Sequence, residues 1–267
     1  MDRTREVLPG TSAASMEAMG RCRPGVPATF IVATLAVVLA ACLTGCPREP
    51  SLSELTARAL AATRAAGSYR ATALDIQAVN GEASTSRRES EFVAPDRFHS
   101  RTVTDDRWFE AISIGDTSYL RSSRQPDWCR SPCEGDGYHS QVSPIPLDRQ
   151  LEPLDWLVDL HELPGEDIDG VPCRHYRGTV DQDAYVDALR EKAGAQGSEL
   201  VEEMRSWSMA FELWVDGSSC LIRQIKGELS FATIGPDTGE EIIISQVATT
   251  RFSDFDADIR IEAPPVS

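Results

Sequence analysis

From Trp207 to Val215 every second residue is apolar: Trp207, Met209, Phe211, Leu213 and Val215. Leu221, Ile225, Leu229 and Phe231 form a matching set in the next segment. A repeat of two puts such residues on one side of a β-strand, so that one face meets a core and the other meets water. This pattern constrains the fold tightly, because a slip of one residue would turn the whole apolar set to solvent.

Segments of strand length recur along the chain between turn signals. Residues 69–79 end at Asn80-Gly81, the strongest short hairpin signal, and 86–92 return from it. Residues 97–103 follow the break at Pro95-Asp96, and 108–114 turn at Gly115-Asp116 into 117–121. Asp169-Gly170 leads into 171–180, and 207–215, 220–231 and 241–252 close the chain. Hairpin connections make such a sheet antiparallel. Ser51-x-x-Glu54 reads as a capping box opening a helix, with Leu52, Leu55, Ala59 and Leu60 on one face and Gly67 as its stop. Leu151, Leu154, Leu157 and Leu160 are spaced by three, which predicts a second helix over 147–161 ended by Leu163-Pro164-Gly165. Residues 181–206 read as helical, broken at Gly194 to Gly197, and 122–147 as a long loop. The expectation is one α+β domain over 51–267: a curved antiparallel sheet of about eight or nine strands with two main helices.

Ahead of this domain, residues 26–42 carry no charge and follow Arg21 and Arg23. A basic start, an apolar middle and an exit of small residues describe an export signal. The run ends in Leu43-Thr44-Gly45-Cys46, which resembles the bacterial lipobox. That resemblance implies cleavage after residue 45, diacylglyceryl and acyl groups on Cys46, and a tether over 46–50. The run is short for a spanning helix, which needs about 20 apolar residues. The chain is then expected to be exported and lipid-anchored, facing the periplasm or the cell exterior. Its net charge of −16 argues against nucleic acid and against an electrostatic hold on anionic lipid.

Cys22 and Cys42 would leave with the signal, and four cysteines would remain beyond Cys46. An even number in an oxidising compartment suggests two disulfides. Of three connectivities, Cys129–Cys133 would staple the long loop and Cys173–Cys220 would tie two strands; these pairs are favoured over free thiols. The spacing of Cys129 and Cys133 is unlike paired zinc knuckles, and His139 is the only nearby histidine. No metal is expected.

Few helices are available to cover so wide a sheet, so its apolar face could enclose either an ordinary core or a cleft. Three strings resemble one superfamily. They are Phe92-Val93-Ala94-Pro95-Asp96-Arg97-Phe98; Ile112-Ser113-Ile114-Gly115-Asp116-Thr117-Ser118-Tyr119-Leu120-Arg121 followed by Trp128; and Ile168-Asp169-Gly170-Val171-Pro172-Cys173-Arg174-His175-Tyr176. Their order over 51–265 is similar to the lipoprotein-carrier and mycobacterial glycolipid-binding lipoproteins. The resemblance implies a half-barrel with helices on its concave side and lipid between them. The lining would then be drawn from Leu74, Ile76, Phe92, Trp108, Ile112, Ile114, Tyr119, Leu154, Leu157, Phe211, Leu213, Ile225 and Leu229. On this reading Leu213→Gln empties the site without unfolding the chain.

No catalytic motif accompanies the resemblance. There is no His-Glu-x-x-His, no Gly-x-Ser-x-Gly elbow and no phosphate-cradling glycine loop. Asp254-x-Asp256-x-Asp258 lacks the glycine and glutamate of a calcium loop. His161 would end the second helix, where a cation suits the dipole, and His175 would be structural. An enzyme is not expected, nor any cofactor beyond the acyl groups on Cys46. The leading reading is a membrane-anchored protein that holds or transfers a lipid or other hydrophobic molecule; the alternative is an envelope sensor or surface module that docks a protein partner.

Overall fold

The computed structural model describes residues 51–132, 147–193, 204–234 and 239–266. The signal, Cys46 and the tether fall outside them. The described residues lie in one compact unit, Pro50–Ser267. Among them no helix is long and apolar enough to cross a membrane.

Helix α1 (Leu52–Arg64) opens at the expected capping box. The Glu54 amide donates to Ser51 Oγ at 3.2 Å, and the Ser51 amide donates to Glu54 Oε2 at 2.7 Å. Two of the helix's orphan donors are satisfied in this way. There follow β1 (Ser68–Val79), β2 (Glu82–Val93), β3 (Arg97–Thr104), β4 (Arg107–Ile114), β5 (Thr117–Ser122) and the two-residue β6 (Cys129–Arg130). After α2 (Leu147–Leu151) and a 3-10 turn (Glu152–Trp156) come β7 (Leu157–Ile168), β8 (Val171–Val180), α3 (Gln182–Ala193), β9 (Ser208–Asp216), β10 (Ile222–Ile234) and β11 (Glu241–Ser253). Asn80 and Gly81 both take positive φ, as do Asp169 and Gly170, which is what two-residue hairpins require.

All pairings are antiparallel, in the order β6-β5-β4-β3-β2-β1-β11-β10-β9-β8-β7. The sheet is curved and open. It consists of two meanders, β1–β6 and β7–β11, joined where the first strand pairs with the last. The link from β6 to β7 runs from one edge strand to the other and carries α2 on the way.

The sheet has eleven strands rather than eight or nine. Two residues of the long loop mark the first difference: Leu120 and Tyr119 of β5 capture Cys129 and Arg130 as β6. The second is larger. The helix expected over 147–161 ends at Trp156, and Leu157–Ile168 is an edge strand. His161 therefore caps no helix; its Nδ1 lies 3.0 Å from the Asp159 carbonyl. β7 carries two bulges, where three of its residues advance against two of β8: Val158 to His161, and Leu163 to Glu166. Asp159 takes positive φ at the first bulge, and Pro164 sits at the second, on an edge strand where no ladder donor is missed. A bulge adds one residue to a repeat of two, so leucines spaced by three fit this strand as well as they fit a helix.

One face of the sheet carries the helices. Its core joins Ala59 and Leu60 of α1, Leu147 and Leu151 of α2, Leu154, and Tyr69, Tyr176, Leu213, Ile222 and Phe252 from the strands. A bulge at Ile222 frees that residue's amide, which donates to Thr63 Oγ1 at 3.0 Å. Thr63 in turn donates to the Ala59 carbonyl at 2.8 Å, so a buried hydroxyl ties α1 to β10.

Candidate functional site

Directly paired residues of an antiparallel sheet point to the same side, so the registers sort the expected lining residues between two faces. Phe92, Phe211, Leu213, Ile225 and Leu229 share the helix face with Tyr69, and Leu154 and Leu157 pack there too. Leu74, Ile76, Trp108, Ile112, Ile114 and Tyr119 point to the outer face and cannot line the same surface. Leu74 and Ile76 are 37% and 41% exposed there. Trp108 lies between the guanidinium groups of Arg101 and Arg121, each 5.6 Å from its ring. Ile112, Ile114 and Tyr119 pack under Ile259 and Ile261 of the C-terminal tail.

The cause of this split is visible in β1. Its helix-facing residues run Tyr69, Ala71, Ala73, Asp75, Gln77, and its outward residues run Arg70, Thr72, Leu74, Ile76. The apolar parity switches halfway along the strand, so apolar character alone selects the wrong side for the second half.

On the helix face the packed core ends at Phe211. Leu213, one step inward, is 0% exposed and fully enclosed, so Leu213→Gln would disrupt the fold rather than empty a site. One step outward, the helix-facing residues stay apolar but become half-buried. Met209 sits opposite Leu229, then come Phe231 opposite Ile244 and Thr233 opposite Ile242. The rings of Trp207 and Phe231 stack at 4.4 Å. None of these side chains belongs to the buried core clusters among the described residues. Together they form an apolar shelf along β9, β10 and β11. Beside it on β1 and β11 lie Asp75, Gln77 and Gln246, with Gln246 Nε2 3.4 Å from Asp75 Oδ1. Sequence reasoning selected Phe211 and Leu229 from this shelf and omitted Trp207, Met209, Phe231, Ile242 and Ile244. Trp207, Met209 and Phe231 carry the signal in the same alternation as Phe211 and Leu229.

Phe211 has a particular seat. It pairs with Gly178 on β8 and with Gly227 on β10. A Cβ on Gly227 would stand 2.8 Å from Phe211 Cε1 and 3.3 Å from Cδ1, so the ring lies down over the glycine. A glycine inside a strand marks such a close approach.

The charged groups concentrate on the outer face. Burial raises the Glu110 carboxyl, but hydrogen bonds from His99 (Nε2 to Oε1, 2.8 Å) and Arg121 (Nε to Oε2, 2.8 Å) outweigh it and hold the group below its ordinary range. On the other meander His175 stacks on Trp214 at 4.2 Å and reaches Glu212 Oε2 at 2.9 Å, while Arg177 donates to Glu212 Oε1 at 2.8 Å. Asp216 is desolvated, yet it accepts from the amides and hydroxyls of Ser218 and Ser219, which push its carboxyl well below the usual value. These groups serve a strand pair or a turn, and none borders the shelf. Among the described residues no cluster of histidine, cysteine, aspartate and glutamate could hold a metal ion.

The Cys173–Cys220 disulfide does not form; both are free thiols. Cys173 has the outward parity of β8 and packs with Ile168 and Trp214, where burial pushes its thiol up. Cys220 lies on the helix side, its Sγ 4.0 Å from Arg58 Nη2 of α1. The sheet itself separates the two sulfurs. Cys129 is in a disulfide, and Cys133, its expected partner, lies outside the described residues.

No family model and no curated sequence matches the chain. Among solved structures it is similar to LprF of Mycobacterium bovis, at 12% identity over 79% of this chain and 96% of that one, with a TM-score of 0.48. It is also similar to the lipoprotein LppX of Mycobacterium tuberculosis, at 14% identity over 79% and 100%, with a TM-score of 0.45. A LolA-superfamily protein of Nitrosomonas europaea gives 11% identity over 80% and 96%, with a TM-score of 0.29.

Proposed function

We propose that the chain is an exported lipoprotein of the cell envelope that holds the acyl part of a lipid, or passes it on, from the shelf on its helix face. The observation that carries this reading is the continuation of apolar, half-buried side chains beyond the packed core, along β9 to β11. A face that served only as core would be enclosed to its end, as Leu213 and Ile225 are. The polar residues Asp75, Gln77 and Gln246 beside the shelf suit a ligand with one wet end. The lipobox resemblance at Cys46 supports anchoring by diacylglyceryl and acyl groups, because an acidic chain gains no hold on anionic headgroups. No reaction is assigned to the site.

Native mass spectrometry of the full chain purified from its own host, with lipid extraction of the same sample, tests this. The expected result is a bound mass released as lipid. A bare mass, with no uptake from offered membrane lipids, would overturn the reading. It would favour the docking alternative, for which exposed Leu74 and Ile76, with Val247 beside Ile76 on the outer face, are the starting point.

A further inference from the structure

Phe211 stands at the boundary between two surfaces of opposite character. On one side of it the helix face is filled: Leu213 and Ile225 are enclosed, and Phe211 itself packs against that core. On the other side the shelf begins and runs along β10 from Gly227 to Thr233. Six residues of strand span about 20 Å. One leaflet of a bilayer's hydrocarbon core is about 15 Å deep. The shelf is therefore long enough for one extended acyl chain of a membrane lipid lying parallel to the strands. Among the described residues the packed core closes its Leu213 end, so the chain would lie with its tip toward Phe211.

We propose that Phe211, laid flat over Gly227, is the end stop of this shelf and fixes the length of acyl chain the protein accepts. The inference rests on the lipid-holding reading above and adds the residue that sets its selectivity. Gly227 is part of the device. With no Cβ on Gly227, the ring drops onto the backbone of β10 and keeps the shelf open to its foot. A methyl group there would meet the ring at 2.8 Å and lift it into the path of the chain. Removing the ring would instead expose the apolar seat beneath it and lengthen the path.

The test is a titration of the full chain, held in a mild detergent, with saturated fatty acids of increasing length, read by displacement of a polarity-sensitive dye. Affinity should rise about fourfold per added methylene and then stop rising at one length, where the chain reaches the stop. Phe211→Ala should move that plateau to longer chains, and Gly227→Ala to shorter ones. Opposite shifts from two substitutions on one contact cannot arise from a general loss of stability, and circular dichroism spectra check that both variants fold. A plateau at the same length in all three proteins overturns the role of Phe211 while leaving the lipid-holding reading intact. Failure of every fatty acid to displace the dye from any form removes the reading itself, and the end stop with it.

Discussion

Glu110 is almost wholly covered, and it keeps its charge because His99 and Arg121 take one carboxylate oxygen each. Its proton affinity is lower in the folded chain than in the unfolded one. Such a group adds stability that is complete above the ordinary carboxylate value of 4.5 and is lost as pH falls through the lower, folded value. Asp216 works in the same direction through its serine contacts. We expect the urea midpoint to fall as pH drops below about 4.5, with a shallower fall in Glu110→Gln, measured by tryptophan fluorescence across a pH series. At this scale the sequence was partly readable. A histidine in a strand, such as His175, reads as structural, and it lies buried against Glu212. Which carboxylate it meets depends on cross-strand register, which no local pattern supplies. The same limit undid the Cys173–Cys220 pair: Cys173 has the outward parity of β8, while Cys220 sits in the turn before β10 with its sulfur toward α1.

Among the elements, those with their own local chemistry were legible. α1 begins at Ser51 because the capping box is written in four consecutive residues. Ser51→Ala should cost about 1 kcal/mol, read as a lower urea midpoint with an unchanged slope. Asn80-Gly81 and Asp169-Gly170 fixed two hairpins in the same way. β7 was not legible, because its bulges convert a strand's repeat of two into the spacing of a helix. The candidate site shows both outcomes. Phe211, Leu213, Ile225 and Leu229 follow one unbroken alternation and fall on the expected face. Leu74 and Ile76 belong to a strand that changes parity midway, and only pairing with β11 reveals it. Trp108, Ile112, Ile114 and Tyr119 are apolar because something covers or flanks the outer face, not because they face the helices.

The segment after β11 covers the outer face at Ile112, Ile114 and Tyr119, and it binds the two meanders together. Asp256 Oδ1 accepts the Gly67 amide at 2.7 Å, Ser68 Oγ donates to the Ala257 carbonyl at 2.7 Å, and Arg97 donates to the Ile261 carbonyl at 2.9 Å. Ile259 and Ile261 then close over Ile112, Ile114 and Tyr119. Ile261→Ala should cost about 2–5 kcal/mol in urea unfolding, and removing the residues after Ala257 should let the uncovered patch bind a polarity-sensitive dye. The seam between β1 and β11 has a further consequence, for the order in which the molecule can be made. Of the described strands β1 is the first synthesised and β11 the last, yet each is the other's neighbour. Until the final strand emerges, β1 keeps an open hydrogen-bonding edge, and the β1–β6 meander lacks the tail that shields its apolar outer residues. Pairing over so long a loop is slow, and an unpaired edge invites other chains. The nascent protein thus passes through a stage as a half-sheet with a sticky margin, and a chain cut short before β11 would be caught there for good.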